Sequence, residues 1–218
     1  RLTGSNVDPR SITFAVEEKG SYRELFTVYG RRAVAMLIAW TSLNYTYYGL
    51  FLWLPEVFNV VANLYGGNPW LYFSIAFAFQ VPGYVSAMYL VEILGRKRTL
   101  APYLILSGLS GISMAFSTGD LLGFTLSALA VSFFNLGAWG SVYPFTSELF
   151  PTKLRGKAFG LAEGVGKIVA VMGPIVFGAL FQTTGSFVTP LITTTAIAVI
   201  AGLAILYLAP ETKGFYFD

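Results

Sequence analysis

The chain has 218 residues, of which 55% are hydrophobic and only 11% charged, with a net charge of +3. A soluble domain carries roughly 25% charged residues, so too few charges are present here to cover a globular surface. Cys and His are both absent, which excludes a disulfide framework, a thiolate nucleophile and a His- or Cys-built metal centre.

The first 32 residues contain six Lys/Arg and no apolar core, so they do not read as a secretory signal. They are expected to form a cytoplasmic linker. Within it Tyr22, Phe26 and Tyr29 fall on one helical face, which suggests a short helix at the membrane interface. Six apolar stretches follow, at 33–55, 70–91, 99–118, 121–147, 158–181 and 187–209. Each has about 20 residues or more, enough to cross a hydrocarbon core of roughly 30 Å. Backbone polar groups find no water there, so each stretch should be a helix. The expected fold is an all-α integral membrane bundle of six transmembrane helices, with a tail at 210–218.

The connections alternate in charge. Arg96, Lys97 and Arg98 lie after the second stretch, Lys153, Arg155 and Lys157 after the fourth, and Lys213 in the tail. The other three connections have no Lys or Arg. The positive-inside rule then places both ends of the segment and the two basic connections in the cytoplasm, and Lys167 alone among the 14 basic residues departs from it. The net positive charge is thus explained by the bilayer, and no nucleic-acid partner is expected. The first and fourth stretches also echo each other. Asn44 is followed five residues later by Gly49, and Asn135 by Gly140, in helices of opposite direction, as an inverted three-plus-three repeat requires.

Three motifs lie at basic helix ends. The second connection reads Glu92-Ile93-Leu94-Gly95-Arg96-Lys97, the fourth Glu148-Leu149-Phe150-Pro151-Thr152-Lys153-Leu154-Arg155-Gly156, and the tail Pro210-Glu211-Thr212-Lys213-Gly214. Together they resemble the D/E-x-x-G-R-K/R, E-x-F-P-x-x-x-R-G and P-E-T-K-G motifs of the sugar-porter and organic-ion branches of the major facilitator superfamily. The runs Tyr47–Pro55, Gln80–Tyr84 and Gly137–Tyr143 are similar to metabolite:proton symporters of the niacin and aromatic-acid type. The resemblance covers about Tyr22 to Gly214. It implies the C-terminal half of a twelve-helix transporter in the plasma membrane, with an N-terminal six-helix half as partner. It also implies proton coupling, access that alternates across the bilayer, and Glu92, Gly95, Arg96, Glu148, Arg155 and Glu211 as a cytoplasmic gating network. Plain topology would also place such charges at helix ends.

Lys167 is the sharpest single residue. It lies 12 residues beyond Arg155, about 18 Å deeper along a helix, where an isolated cation is costly. It is read as the counter-charge of an anionic substrate, or as half of an i,i+4 pair with Glu163. Asn135, Trp139 and Tyr143 share one helical face and Asn44 and Tyr48 another. Each set either lines a central cavity or bonds across helices, and Gln80 is either a cavity polar group or a local repair at a kinked helix. Glu56 and Asp120 read as solvated rim charges. No nucleophile with a base, phosphate loop or metal cluster is recognisable, so no enzyme activity and no cofactor are expected. The expected function is secondary transport of a small organic metabolite, an aromatic or heterocyclic carboxylate. A sugar porter is the alternative within the family, and a non-transporting receptor or scaffold the alternative outside it.

Overall fold

A computed structural model describes residues 20–214. Residues 1–19 of the linker expected over 1–32, and the last four residues of the tail, lie outside the described residues. The described chain runs α1 (Tyr22–Thr27), α2 (Gly30–Phe51), α3 (Leu54–Leu64), α4 (Pro69–Ala78), α5 (Gln80–Leu94), α6 (Arg96–Phe116), α7 (Leu121–Leu149), α8 (Thr152–Thr184) and α9 (Val188–Leu208). It is an all-helical bundle with the organisation of half a major facilitator fold.

Two expected spans are broken. Pro55 stands at the start of α3, where its ring and missing N–H cannot continue α2. The helix therefore stops at Phe51 and restarts as α3, which runs on to Leu64 instead of ending at residue 55. Pro82 acts likewise in the second span, leaving the Ala78 carbonyl without its i+4 donor, and the chain breaks at Phe79 between α4 and α5. The fifth span is longer than expected: α8 begins directly after Pro151, so Lys153 and Arg155 lie on the helix and not in a loop.

Among the described residues, five segments are long and apolar enough to cross a membrane: Pro69–Leu94, Arg96–Phe116, Leu121–Leu149, Thr152–Thr184 and Val188–Leu208. The first expected span is not one of them. With 22 residues, α2 is about 33 Å long, which is sufficient. Its centre, however, carries Thr41, Ser42, Asn44, Tyr45, Thr46, Tyr47 and Tyr48, and these lower its hydropathy. Several of them are buried against other helices, where protein and not lipid is their surroundings.

The packing has the symmetry that the sequence echo suggests. α2 lies along α8 and α5 along α7, α6 packs on α7 and α2 on α9, and α6 lies along α9. Exchanging the first three spans with the last three maps each of these contacts onto another or onto itself, as in an inverted repeat. Glycines set the distances. A Cβ at Gly49 would lie 3.3 Å from the Cα of Gly173, and one at Gly173 only 2.7 Å from the Tyr45 carbonyl. A Cβ at Gly108 would meet the Thr195 carbonyl at 2.6 Å, and one at Gly137 would lie 2.0 Å from the edge of the Tyr103 ring.

The short α1 is held from three directions. Ser21 Oγ caps it by accepting from Glu24 N at 3.1 Å. Leu25 is buried, and Glu24 pairs with Lys153 of α8 at 2.7 Å. Tyr22 and Phe26 remain exposed, while Tyr29 turns edge-on to Phe150. Asp120 is more than a rim charge: it caps α7, accepting from Leu122 N and Gly123 N at 3.2 and 2.9 Å.

Gly137→Val should overpack the α5–α7–α6 junction, a change that costs about 1–3 kcal/mol. Gly119→Ala, which meets nothing within 4 Å, should not. Thermal unfolding in detergent should show a lowered midpoint for the first variant only; equal midpoints would remove the glycine contacts as the organising element.

Candidate substrate cavity and charge cluster at the basic end

Near mid-bundle the helices leave a cavity of about 340 Å³, lined by Tyr47 and Tyr48 of α2, Tyr84 of α5, Leu136, Trp139 and Tyr143 of α7, and Lys167 of α8. Gly166 brings Lys167 there. A Cβ on Gly166 would lie 2.6 Å from Asn44 Nδ2, so the missing side chain lets α8 close on α2. The Lys167 ammonium then lies 3.5 Å from Asn44 Oδ1, 3.5 Å from Glu163 Oε1 and 5.3 Å from the centre of the Tyr48 ring. Charge-assisted N–H···O bonds are normally 2.7–2.9 Å, so the two oxygen contacts are loose, while the ring lies at an ordinary cation–π distance. The side chains of Lys167 and Glu163 are 50% and 45% exposed. The cation is thus held in place by several weak partners and keeps room for another.

The walls are mostly aromatic. Trp40 meets Trp139 and Tyr143 edge-on at 5.8 and 5.3 Å, and Tyr47 meets Tyr48 and Trp139 at 5.4 and 6.2 Å. Edge-to-face contacts at such distances hold rings in fixed orientations. The Tyr47 hydroxyl approaches Gln80 Oε1 at 3.5 Å. Trp139 Nε1 and Gln80 Nε2 are buried and make no hydrogen bond. The cavity therefore presents one cation among aromatic rings, with these two N–H donors buried beneath its walls.

The sequence-derived candidates divide. Tyr48, Trp139, Tyr143 and Lys167 line the cavity, with Asn44 and Glu163 directly behind Lys167. Gln80 is buried at the α4–α5 break and reaches the cavity only through Tyr47. Asn135 does not line it: its Nδ2 donates to Thr46 Oγ1 at 3.3 Å and to Ser107 Oγ at 3.2 Å, joining α7 to α2 and α6. Of the two uses weighed for Asn135, the contacts are those of helix packing. Tyr47, Tyr84 and Leu136 were not among the candidates. Tyr84 follows Gln80 by one helical turn, so the i,i+4 spacing that grouped Trp139 with Tyr143 would have found it.

A second cluster lies at the basic end. Arg96 Nη2 is 2.7 Å from Glu148 Oε1 and 3.1 Å from Glu92 Oε1, and its Nη1 donates to the Val91 carbonyl at 3.2 Å. One guanidinium thus ties α5, α6 and α7 together. Glu211 enters from the tail. Its carboxylate accepts from the backbone N–H groups of Arg96, Arg98, Thr212 and Lys213 at 2.8, 3.0, 3.0 and 3.3 Å. Gly95 makes room for it, with φ +108°, and a Cβ there would lie 2.5 Å from Glu211 Cδ. Arg155 stands apart from the expected network. It donates to the Phe150 carbonyl at 3.2 Å and makes no ion pair among the described residues. Early Arg residues of α2 act similarly: Arg31 donates to the Tyr207 carbonyl and Arg32 to the Leu149 carbonyl, closing the C-terminal ends of α9 and α7.

Burial pushes the Glu211 pKa up, but the four backbone donors outweigh it and hold the carboxyl below its usual 4.5. A depressed folded-state pKa means stability that is present above the unfolded value and is lost as pH falls through the folded one. Glu211→Gln should therefore lower the unfolding midpoint at pH 7, and the gap to the unsubstituted protein should narrow below about pH 4.5. A gap independent of pH would mean that the carboxylate charge is not what the tail contributes.

Comparison with known proteins is consistent with this architecture. The model of the Major Facilitator Superfamily matches residues 70–215. NiaP of Bacillus subtilis, provisionally named a niacin/nicotinamide transporter, is 34% identical over 216 residues, covering 94% of this chain and 52% of the relative. The niacin transporter NiaP of Acinetobacter baylyi is 32% identical over 208 residues, covering 92% of the chain and 45% of the relative. Human solute carrier family 22 member 12 is 32% identical over 186 residues, covering 84% and 31%. The chain thus spans about half the length of the bacterial relatives. On the strength of the family match and of these relatives, it belongs to the Major Facilitator Superfamily.

Proposed function

We propose that this chain is one half of a proton-coupled secondary transporter for a small organic anion, an aromatic or heterocyclic carboxylate, in the plasma membrane. The observation that carries the reading is Lys167, a half-exposed cation in an aromatic-walled cavity with two loose oxygen partners and one ring. A ring would lie among Tyr48, Tyr84, Trp139 and Tyr143, and its carboxylate would meet the ammonium. The niacin transporters among the relatives support the same substrate class. A sugar, with no charge to offer, would leave Lys167 without a use.

The substrate carboxylate competes with Glu163 for Lys167. Protonation of Glu163 removes the rival, so proton and anion enter together, and loss of the proton returns Lys167 to Glu163. The other six-helix half closes the cavity, and rocking of the two halves exposes it to each side in turn. The Glu92–Arg96–Glu148 cluster and the Glu211 anchor latch the cytoplasmic end while the cavity faces outward. Arg155 contributes by holding the α7–α8 turn, not by an ion pair.

The test uses the full-length protein in proteoliposomes with an inward proton gradient and nicotinate, benzoate or glucose outside. Loss of a charged hydrogen bond costs about 1.5–3 kcal/mol, so Lys167→Ala should reduce kcat/KM for carboxylate uptake by roughly ten- to a hundredfold. Glucose uptake indifferent to Lys167 would move the protein to the sugar branch, and no uptake of any solute would favour a receptor. The latch has its own readout. This chain has no native Cys, so a reporter cysteine at Ser147 adds no background from this half. Glu148→Gln should speed its labelling from the cytoplasmic side, and unchanged labelling would count against the latch.

A further inference from the structure

A second concave site lies at the basic end, away from the aromatic cavity. Where α2 begins and α9 ends, a pocket of about 310 Å³ is lined by Val28, Tyr29, Arg31, Arg32, Leu208 and Pro210, among others. No carboxylate lines it among the described residues. Arg31 donates one N–H to the Tyr207 carbonyl and lies 5.3 Å over the Tyr207 ring. Those contacts fix the guanidinium but use few of its five donors. Arg32 adds a second positive charge. The helix contributes too: Tyr29 offers no side-chain cap to α2, and Ala33 is the first residue whose N–H bonds back into the turn. The amides of Gly30, Arg31 and Arg32 therefore open at the positive end of the helix dipole.

The same α2–α9 face continues toward mid-bilayer as a groove. A second depression of about 310 Å³ is bounded by Ile38, Thr41 and Tyr45 of α2, Val169 of α8, and Ile200 and Ala204 of α9, and its lining is largely apolar. Ile38 is seven residues from Arg31, about 10 Å along the helix, and Ala204 is one turn from Leu208. Tyr207, 78% exposed, stands beside the upper pocket as an aromatic side chain at the interface commonly does.

We infer that this face seats one anionic phospholipid, with its phosphate on Arg31 and the first amides of α2 and an acyl chain in the α2–α9 groove. The charge selects an anion, and the apolar groove directly below it selects a lipid over free phosphate. Basic pockets between transmembrane helices bind anionic headgroups in this way. The seated lipid joins the first and last spans of the chain across a seam that protein contacts alone leave grooved. This inference is independent of the transported solute.

The test is native mass spectrometry of the full-length protein titrated with phosphatidylglycerol or phosphatidylcholine. Retention should favour phosphatidylglycerol by roughly tenfold or more, and R31Q/R32Q should lose that preference by about ten- to thirtyfold. Excess inorganic phosphate should not displace the lipid. Equal retention of the two lipids, a preference unaltered in R31Q/R32Q, or displacement by phosphate would each overturn the assignment. If R31Q/R32Q is not monodisperse, Ala204→Trp is read in its place, because it fills the groove and leaves both arginines. Loss of the preference in that variant supports the seat, and an unaltered preference overturns it.

Discussion

Two helices can come close only where nothing projects between them, and that constraint shapes this bundle. In lipid there is no apolar gain from pressing one apolar helix on another, because the tails are as apolar as leucine. Association then rests on short-range contacts, which need close backbones. Gly49 and Gly173 provide this between α2 and α8, Gly137 between α7 and its neighbours, and Gly108 between α6 and α9. Everything polar at depth depends on these approaches. Gly166 is the clearest case, since any side chain there would strike Asn44 and push Lys167 away from its partners.

The two charged regions use distance differently. At the basic end Arg96 is gripped at 2.7 and 3.1 Å, and Glu211 is enclosed by backbone donors. In the cavity Lys167 meets Asn44 and Glu163 only at 3.5 Å. Tight contacts suit a part that must hold one arrangement until the whole end moves. Loose ones suit a part that can exchange partners. A cation at depth needs compensation, and supplying it from Glu163, Asn44 and Tyr48 together keeps each single contact easy to replace.

Much of this was legible in the sequence, for identifiable reasons. The lengths of the apolar stretches fix the bundle, because bilayer thickness admits few alternatives. The Asn44–Gly49 and Asn135–Gly140 echo is matched by the pairing of α2 with α8 and α5 with α7. Lys167 stands on one continuous helix with Arg155, as its spacing suggested. What was not legible depended on rotation and partner choice. Asn135 and Trp139 share a helical face, yet only Trp139 reaches the cavity, because Thr46 and Ser107 lie across from Asn135. Arg155 carries the expected charge but lies nearer a carbonyl than a carboxylate. Pro55 announces a break, but a sequence does not say whether a helix stops at a proline or resumes after it.

The position of Glu211 has a consequence for biogenesis. The turn that it completes joins α5 to α6, yet the residue itself comes more than a hundred positions later in the chain. During synthesis the turn is made early and its carboxylate arrives only when the last span has left the ribosome. The donors at Arg96 and Arg98 remain turned to water throughout insertion of α7, α8 and α9. Closure of the basic end is therefore a late event in assembly, and a chain stopped just before the tail would hold all its spans with that end still open.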